Sequence, residues 1–82
     1  MRFDVALAEL RLFKSRSQAS SAIQGGSALL NGARAKASHA LRPGDRITLV
    51  MPHGSSTLEV LGLPTRSLSK ETAKALVREV AE

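Results

Sequence analysis

FKSRSQASSAIQGGSALLNG, residues 13–32, is the stretch that decides the fold. Ser15 is a candidate helix N-cap, and Gln18 stands three residues later, where a capping box places it. Ala19, Ala22 and Ile23 then recur at helical spacing, and Gly25-Gly26 is a typical helix end. The stretch predicts a short helix that begins just after Ser15 and ends at the glycines.

After the glycines the apolar pattern changes from a helical period to a period of two. Residues 28–30 are a candidate strand, and Asn31-Gly32 is a strong signal for a two-residue type I′ turn, since both central positions of that turn need a positive φ. The turn predicts a hairpin whose second strand runs over residues 34–36.

Further elements are predicted on both sides of this stretch. Before it, Phe3, Leu7 and Leu10 predict an amphipathic helix over residues 3–11. Asp4 lies in the first turn, where a carboxylate interacts favourably with the positive end of the helix dipole. After it come a turn at 43–45, a strand over 47–50, a loop over 52–56, a strand over 58–61 and a helix over 70–81. That helix is predicted from a hydrophobic staple at Leu68 and an N-cap at Ser69. Its apolar stripe consists of Ala73, Leu76, Val77 and Val80. The predicted fold is therefore α+β: two N-terminal helices packed on a small curled antiparallel sheet, closed by a C-terminal helix.

Positive charge is concentrated in the first part of the chain. Residues 1–46 carry eight Lys and Arg against three Asp and Glu, whereas residues 47–82 carry four of each. A polyanion-binding face on a neutral scaffold would give this distribution. A basic protein kept soluble by its surface charge would give it equally well.

The composition excludes several classes of function. The 82 residues contain no cysteine, so disulfides and thiolate chemistry are absent. His39 and His53 are isolated, and neither predicts a metal site or a nucleophile-base pair; we expect no cofactor and no enzymatic activity. No apolar run reaches a membrane span and no signal peptide precedes the first helix, so we expect a cytoplasmic protein. The only aromatic residues are two phenylalanines, which argues against base stacking on an aromatic platform.

Two cations lie beside the start of the second predicted helix. Lys14 and Arg16 oppose the dipole of that helix, and such a position is easier to explain if an anion binds there. Ser15 is favoured as a cap over a ligand, and Gln18 either completes the cap or reaches a ligand. Arg2 precedes the first helix, where it either contacts a ligand or adds to the surface charge.

Other cations extend the candidate surface. Arg34 and Lys36 alternate along the predicted returning strand and would share one face. If that face adjoins the second helix, they lengthen the basic groove. Arg11, Arg42 and Arg46 are interpreted as solvated surface residues.

The chain resembles the S-four-type RNA-binding domain, also called the αL motif. The residues that carry the resemblance are Arg2-Phe3-Asp4, Lys14-Ser15-Arg16-Ser17-Gln18-Ala19, Ile23, Gly26, Leu29, Asn31-Gly32, Lys36, Ser38 and Pro43-Gly44-Asp45-Arg46-Ile47. The resemblance implies an RNA-binding core over residues 1–50, with residues 51–82 as a strand-and-helix extension packed on the same domain. That extension is similar to one branch, the small ribosome-associated heat-shock proteins of the fifteen-kilodalton class.

The residues and this resemblance together imply a non-catalytic, ribosome-associated protein that binds structured RNA, either rRNA or tRNA. The large ribosomal subunit, and DNA bound without specificity, are further candidate partners. The RNA-binding residues are expected to be Arg2, Lys14, Ser15, Arg16, Gln18, Arg34 and Lys36. Two alternatives stay open. The chain could be the recognition module of an RNA-modifying or aminoacylating enzyme. It could also be a protein-interaction domain with weakened RNA binding, which Ser20, Ser21 and Gln24 would favour because the family often has basic residues there. The oligomeric state is not predicted.

Overall fold

The computed structural model describes residues 1–64 and 70–80. The elements, in chain order, are α1 (Phe3–Glu9), α2 (Arg16–Gln24), β1 (Ala28–Leu30), β2 (Arg46–Met51), β3 (Gly54–Val60), α3 (Lys70–Ala75) and β4 (Val77–Glu79). The four strands form one antiparallel sheet in the order β1-β2-β3-β4. The predicted α+β architecture is confirmed.

Helix α2 begins and ends where the sequence predicts. Ser15 has extended backbone angles, and its hydroxyl accepts a hydrogen bond from the Gln18 N–H at 3.2 Å, so it is the N-cap. Gly25 is the C-cap, and Gly26 follows with a φ of 79°. A positive φ is the conformation that turns the chain out of a helix, and glycine adopts it without strain.

The Asn31-Gly32 turn also forms as predicted, but the strand expected after it does not. Asn31 and Gly32 have φ values of 52° and 81°, and Leu30 and Ala33 exchange two backbone hydrogen bonds of 2.8 and 3.0 Å across the turn. Pairing stops at Ala33, so the strand over 34–36 is wrong.

The segment after Ala33 runs along the start of α1 instead. The carbonyls of His39 and Ala37 accept hydrogen bonds from the N–H groups of Phe3 and Asp4 at 2.8 and 3.1 Å. The first N–H groups of a helix have no acceptor inside the helix. The segment therefore satisfies the N-terminus of α1, and a longer hairpin would leave those donors without these partners.

Strands β2 and β3 form a tighter hairpin than predicted. Met51 pairs with Gly54 across the two-residue turn Pro52-His53, and the loop expected over residues 52–56 is wrong from Gly54 onward. Ser55 and Ser56 pair with Val50 and Leu49, so they continue the ladder.

The predicted C-terminal helix is correct only in its first part. It ends at Ala75, and Val77–Glu79 forms β4, which pairs with β3. Because β3 would otherwise be an open sheet edge, pairing there satisfies its backbone groups, and a β-branched residue such as Val77 suits a strand. Ala73 is buried as expected. The predicted staple at Leu68 and cap at Ser69 lie outside the described residues.

The core lies where the two helices pack together and against one face of the sheet. Its fully or nearly fully buried side chains are Phe3, Ala6, Leu7 and Leu10 of α1, Ala19 and Ile23 of α2, Ala28, Leu30, Ile47 and Val60 of the sheet, and Leu41. The N-termini of the two helices come close together, and the side chains there form the candidate site. Within the described ranges, 1–64 and 70–80, no helix is long and apolar enough to span a membrane.

Candidate nucleic-acid interface

The two helix N-termini meet at a buried carboxylate. Asp4, in the first turn of α1, is 2% exposed. Its Oδ1 accepts hydrogen bonds from Arg2 Nε at 3.1 Å and from the Val5 N–H at 2.8 Å. Its Oδ2 accepts from Arg2 Nη2 at 3.2 Å and from Arg16 Nε at 3.1 Å. One carboxylate therefore holds a cation from each helix start.

The two arginines remain accessible although their carboxylate partner is buried. The side chains of Arg2 and Arg16 are 47% and 56% exposed, whereas that of Asp4 is 3% exposed. Arg2 directly precedes α1 and Arg16 is the first residue of α2, so packing of the helices is what brings them together. The result is a pair of solvent-facing guanidinium groups bound to the same carboxylate.

A shallow cleft adjoins this pair. It is lined by Arg2, Asp4, Arg16, Ser17 and Ser20, with both serines on α2. Serine hydroxyls can donate to an anion, and the positive end of the α2 dipole adds to the two guanidinium charges. The cleft therefore has the chemistry of an anion-binding surface.

Burial of the Asp4 carboxyl would by itself raise its pKa. The hydrogen bonds from Arg2, Arg16 and the Val5 N–H outweigh burial and lower the pKa below the ordinary value of 3.8. Asp4 is therefore ionised throughout the neutral range, and the arginine pair keeps its anchor there.

This lowered pKa predicts a specific loss of stability in acid. Because the pKa is lower in the folded than in the unfolded protein, ionised Asp4 stabilises the fold above the unfolded value, and that stabilisation is lost as the pH falls through the folded value. We expect the melting temperature of the wild-type protein to fall from about pH 5 to about pH 3, and Asp4→Asn to fall less over that range. Glu9→Gln is a change in the same helix, and the melting temperature of this variant should fall over that pH range as much as that of the wild type. Parallel acid profiles for wild type and Asp4→Asn would contradict this role of Asp4.

The connection between α1 and α2 and the first turn of α2 contain three more of the predicted binding residues. Lys14 is exposed and lies two residues before Arg16, at the rim of a second shallow cleft that Arg11 and Phe13 also line. Ser15 uses its hydroxyl as the helix cap, and Gln18 donates its backbone N–H to that cap. Lys14 is thus a further exposed cation close to the start of α2, while the Ser15 hydroxyl is occupied as the helix cap. RNA contact by each of these residues stays a prediction.

Lys36 lies in the segment that runs along the start of α1. It is exposed and directly precedes Ala37, whose carbonyl accepts the Asp4 N–H. The segment that satisfies the start of α1 therefore also brings Lys36 close to that start, for a reason other than the predicted strand.

Arg34 is placed differently from the other cations. Its Nη2 donates to the carbonyl of Gln24, the last residue of α2, and its side chain lies beside Gly26. A nine-residue helix is about 13 Å long, so Arg34 and Arg16 mark opposite ends of α2. The shared strand face predicted for Arg34 and Lys36 is wrong, because no strand forms there. Contact of Arg34 with RNA stays a prediction.

Sequence reasoning missed the role of Asp4. Its position in the first turn of a helix explained it adequately as a dipole partner, so its burial and its two arginine contacts were not predicted. The available signal was an acidic residue two positions after Arg2 in the half of the chain that carries the net positive charge. Among residues 1–64 and 70–80, no group of three or more His, Asp or Glu is arranged to hold a metal ion.

Comparisons with known proteins place this geometry in a family. A comparison with curated proteins gives no match. Among solved structures, the chain superposes on the trimeric structure of Heat Shock Protein 15 from Vibrio cholerae with a TM-score of 0.91 and 33% sequence identity, over 99% of this chain and 82% of that one. The family model of the S4 domain matches residues 1–47, which include α1, α2 and the arginine pair. Since that match spans more than half of the chain, the protein belongs to the S4 domain family.

Proposed function

We propose that this protein is a non-catalytic RNA-binding protein that recognises structured RNA through phosphate contacts. The observation that carries the proposal is the pair Arg2 and Arg16, fixed on buried Asp4 and exposed beside the start of α2. A planar guanidinium donates two parallel N–H groups to a phosphate, which makes arginine well suited to this contact. Lys14 and Lys36, both exposed, are proposed to form a basic surface of four cations together with the pair.

The proposed mode of recognition reads backbone shape more than base identity. The chain has two phenylalanines and no tryptophan or tyrosine. Phe3 is fully buried and Phe13 packs against the core, so neither offers an open stacking platform. Without base stacking, selectivity has to come from the spacing of phosphates in A-form RNA and from its 2′-hydroxyl groups.

Ribosomal RNA is the target class that we favour, in a cytoplasmic, ribosome-associated protein. Support comes from the match to the S4 domain and from the structural similarity to Heat Shock Protein 15 across nearly the whole chain. Strands β3 and β4, which belong to the proposed extension over residues 51–82, lie in the same sheet as β1 of the matched region.

A titration with RNA across salt concentrations tests the proposal. With about four phosphate contacts, log affinity should fall with log salt at a slope of roughly −3 to −4, so affinity should fall roughly 60- to 250-fold from about 50 to about 200 mM salt. The measurement is fluorescence anisotropy with a labelled RNA stem-loop. A DNA duplex of the same stem sequence is the matched probe, and it should bind more weakly because its phosphate spacing differs. Absence of RNA binding at about 50 mM salt would contradict the proposal.

A further inference from the structure

We infer that Asp4 is a positioning residue of the RNA interface, which holds Arg2 and Arg16 in one fixed arrangement for a phosphate. The inference rests on the proposed function and deepens it. It also runs against simple electrostatics, because it assigns to an acidic residue a favourable part in binding a polyanion.

The acceptor capacity of Asp4 is fully used by the protein. A carboxylate has about four acceptor positions, and the four hydrogen bonds to Asp4 come from Arg2, which donates twice, Arg16 and Val5. Asp4 is also 2% exposed, so its charge lies beneath the arginines. An approaching phosphate would meet the guanidinium groups before it met the carboxylate.

The arginines keep most of their donors for a ligand. Each guanidinium has five N–H groups. The bonds to Asp4 use two on Arg2 and one on Arg16, which leaves three and four. The bond from Arg16 is made by Nε, so both terminal nitrogens of that side chain remain available to a ligand. Asp4 thus anchors the guanidinium groups and leaves donors for phosphate oxygens.

Fixing the arginines in advance should strengthen binding. A flexible arginine loses side-chain freedom when it binds a ligand, and that loss weakens the affinity. In this protein the loss has already occurred on folding, because the Asp4 contacts fix both side chains. The cost of the anchor is one negative charge near the site, and the proposed gain from fixed geometry is larger.

Two readings of Asp4 predict changes of opposite sign. Asp4→Asn raises the formal charge of the protein by one, so long-range electrostatics alone predict tighter RNA binding. If Asp4 positions the arginines, the same substitution should weaken RNA binding. The side-chain amide of asparagine has one acceptor oxygen, and its NH₂ group is a donor that faces arginine donors.

The experiment compares three proteins on the labelled RNA stem-loop at low salt. We expect Asp4→Asn to bind about tenfold more weakly than wild type, which corresponds to the loss of roughly one charge-assisted hydrogen bond. Glu9→Gln is the charge-matched control in the same helix, and it should bind as well as wild type or slightly better. Wild-type or tighter binding by folded Asp4→Asn would overturn the inference. Absence of binding by the wild type would overturn the proposed function together with the inference.

A second set of variants separates positioning from damage to the fold. If Asp4 acts only through the arginines, adding Asp4→Asn to Arg2→Gln/Arg16→Gln should cause no further loss of RNA affinity. A further tenfold loss there would show a general structural effect and overturn the inference. Should Asp4→Asn not fold, Arg16→Lys answers the same question. It keeps the charge but cannot hold Asp4 and a phosphate with a planar fork, so we expect about fivefold weaker binding, and unchanged binding would overturn the inference.

Discussion

Replacing Phe3 with alanine should remove a large part of the stability of this domain. Phe3 is fully buried in α1, and its N–H is held by the His39 carbonyl at 2.8 Å. A buried Phe→Ala substitution costs about 3–5 kcal/mol through lost burial and the cavity that remains. A domain of this length is stable by roughly 4–12 kcal/mol. Phe3→Ala should therefore lower the urea midpoint strongly and populate unfolded protein without denaturant.

The chain offers a matched control for this prediction. Phe13, its only other phenylalanine, lies in the connection between α1 and α2 and is partly buried. Phe13→Ala removes the same atoms from a more exposed place and should cost about 1–2 kcal/mol. Urea unfolding followed by far-UV circular dichroism measures both variants. Equal losses of unfolding free energy would contradict the central place of Phe3 in the core.

The first part of the fold could be predicted because its signals are local. Ser15 caps the helix turn that directly follows it. Gly26 and Gly32 stand at positions with a positive φ, which glycine adopts without strain. Asn31-Gly32 determines its turn from two residues alone. These interactions need no knowledge of distant parts of the chain.

The predictions from the sequence are wrong where residues far apart in the chain pair with each other. Val77 and Val80 fit a helical stripe in the sequence, but Val77 pairs with Val60 of β3. The segment after Ala33 fits a returning strand, but the start of α1 provides better partners for its carbonyls. Sheet edges and helix ends that are far apart in the sequence compete for the same backbone hydrogen-bond partners. The spacing of apolar residues does not show which of them will pair.

The candidate site shows the same division between local and distant interactions. Arg16 was predicted from its place at a helix start, which is a local property. Its ion pair with Asp4 joins residues twelve positions apart and depends on how the two helices pack. Arg34 was predicted from charge, and its contact with the Gln24 carbonyl depends on the turn between α2 and β1. The sequence shows which residues are cations, but only the packed structure shows which of these cations lie close together.

The arginine pair should carry much of the RNA affinity. Arg2→Gln/Arg16→Gln removes two charge-assisted phosphate contacts, so we expect roughly 100-fold weaker binding to the RNA stem-loop. The salt slope should become shallower by about two. Because the substitution leaves Asp4 buried without cations, Arg2→Gln/Asp4→Asn/Arg16→Gln serves as a second variant that removes the unpaired carboxylate. The two variants should bind alike.

Arg42→Gln/Arg46→Gln tests whether position or total charge determines this loss. It also removes two positive charges, but from exposed residues at the turn before β2 and at the start of that strand. Arg46 alternates with buried Ile47 and so lies on the sheet face away from the helices. We expect less than about fivefold weaker binding, because long-range charge is screened at about 0.15 M salt. Equal losses from the two pairs would mean that net charge, and not the Asp4-anchored pair, determines the affinity.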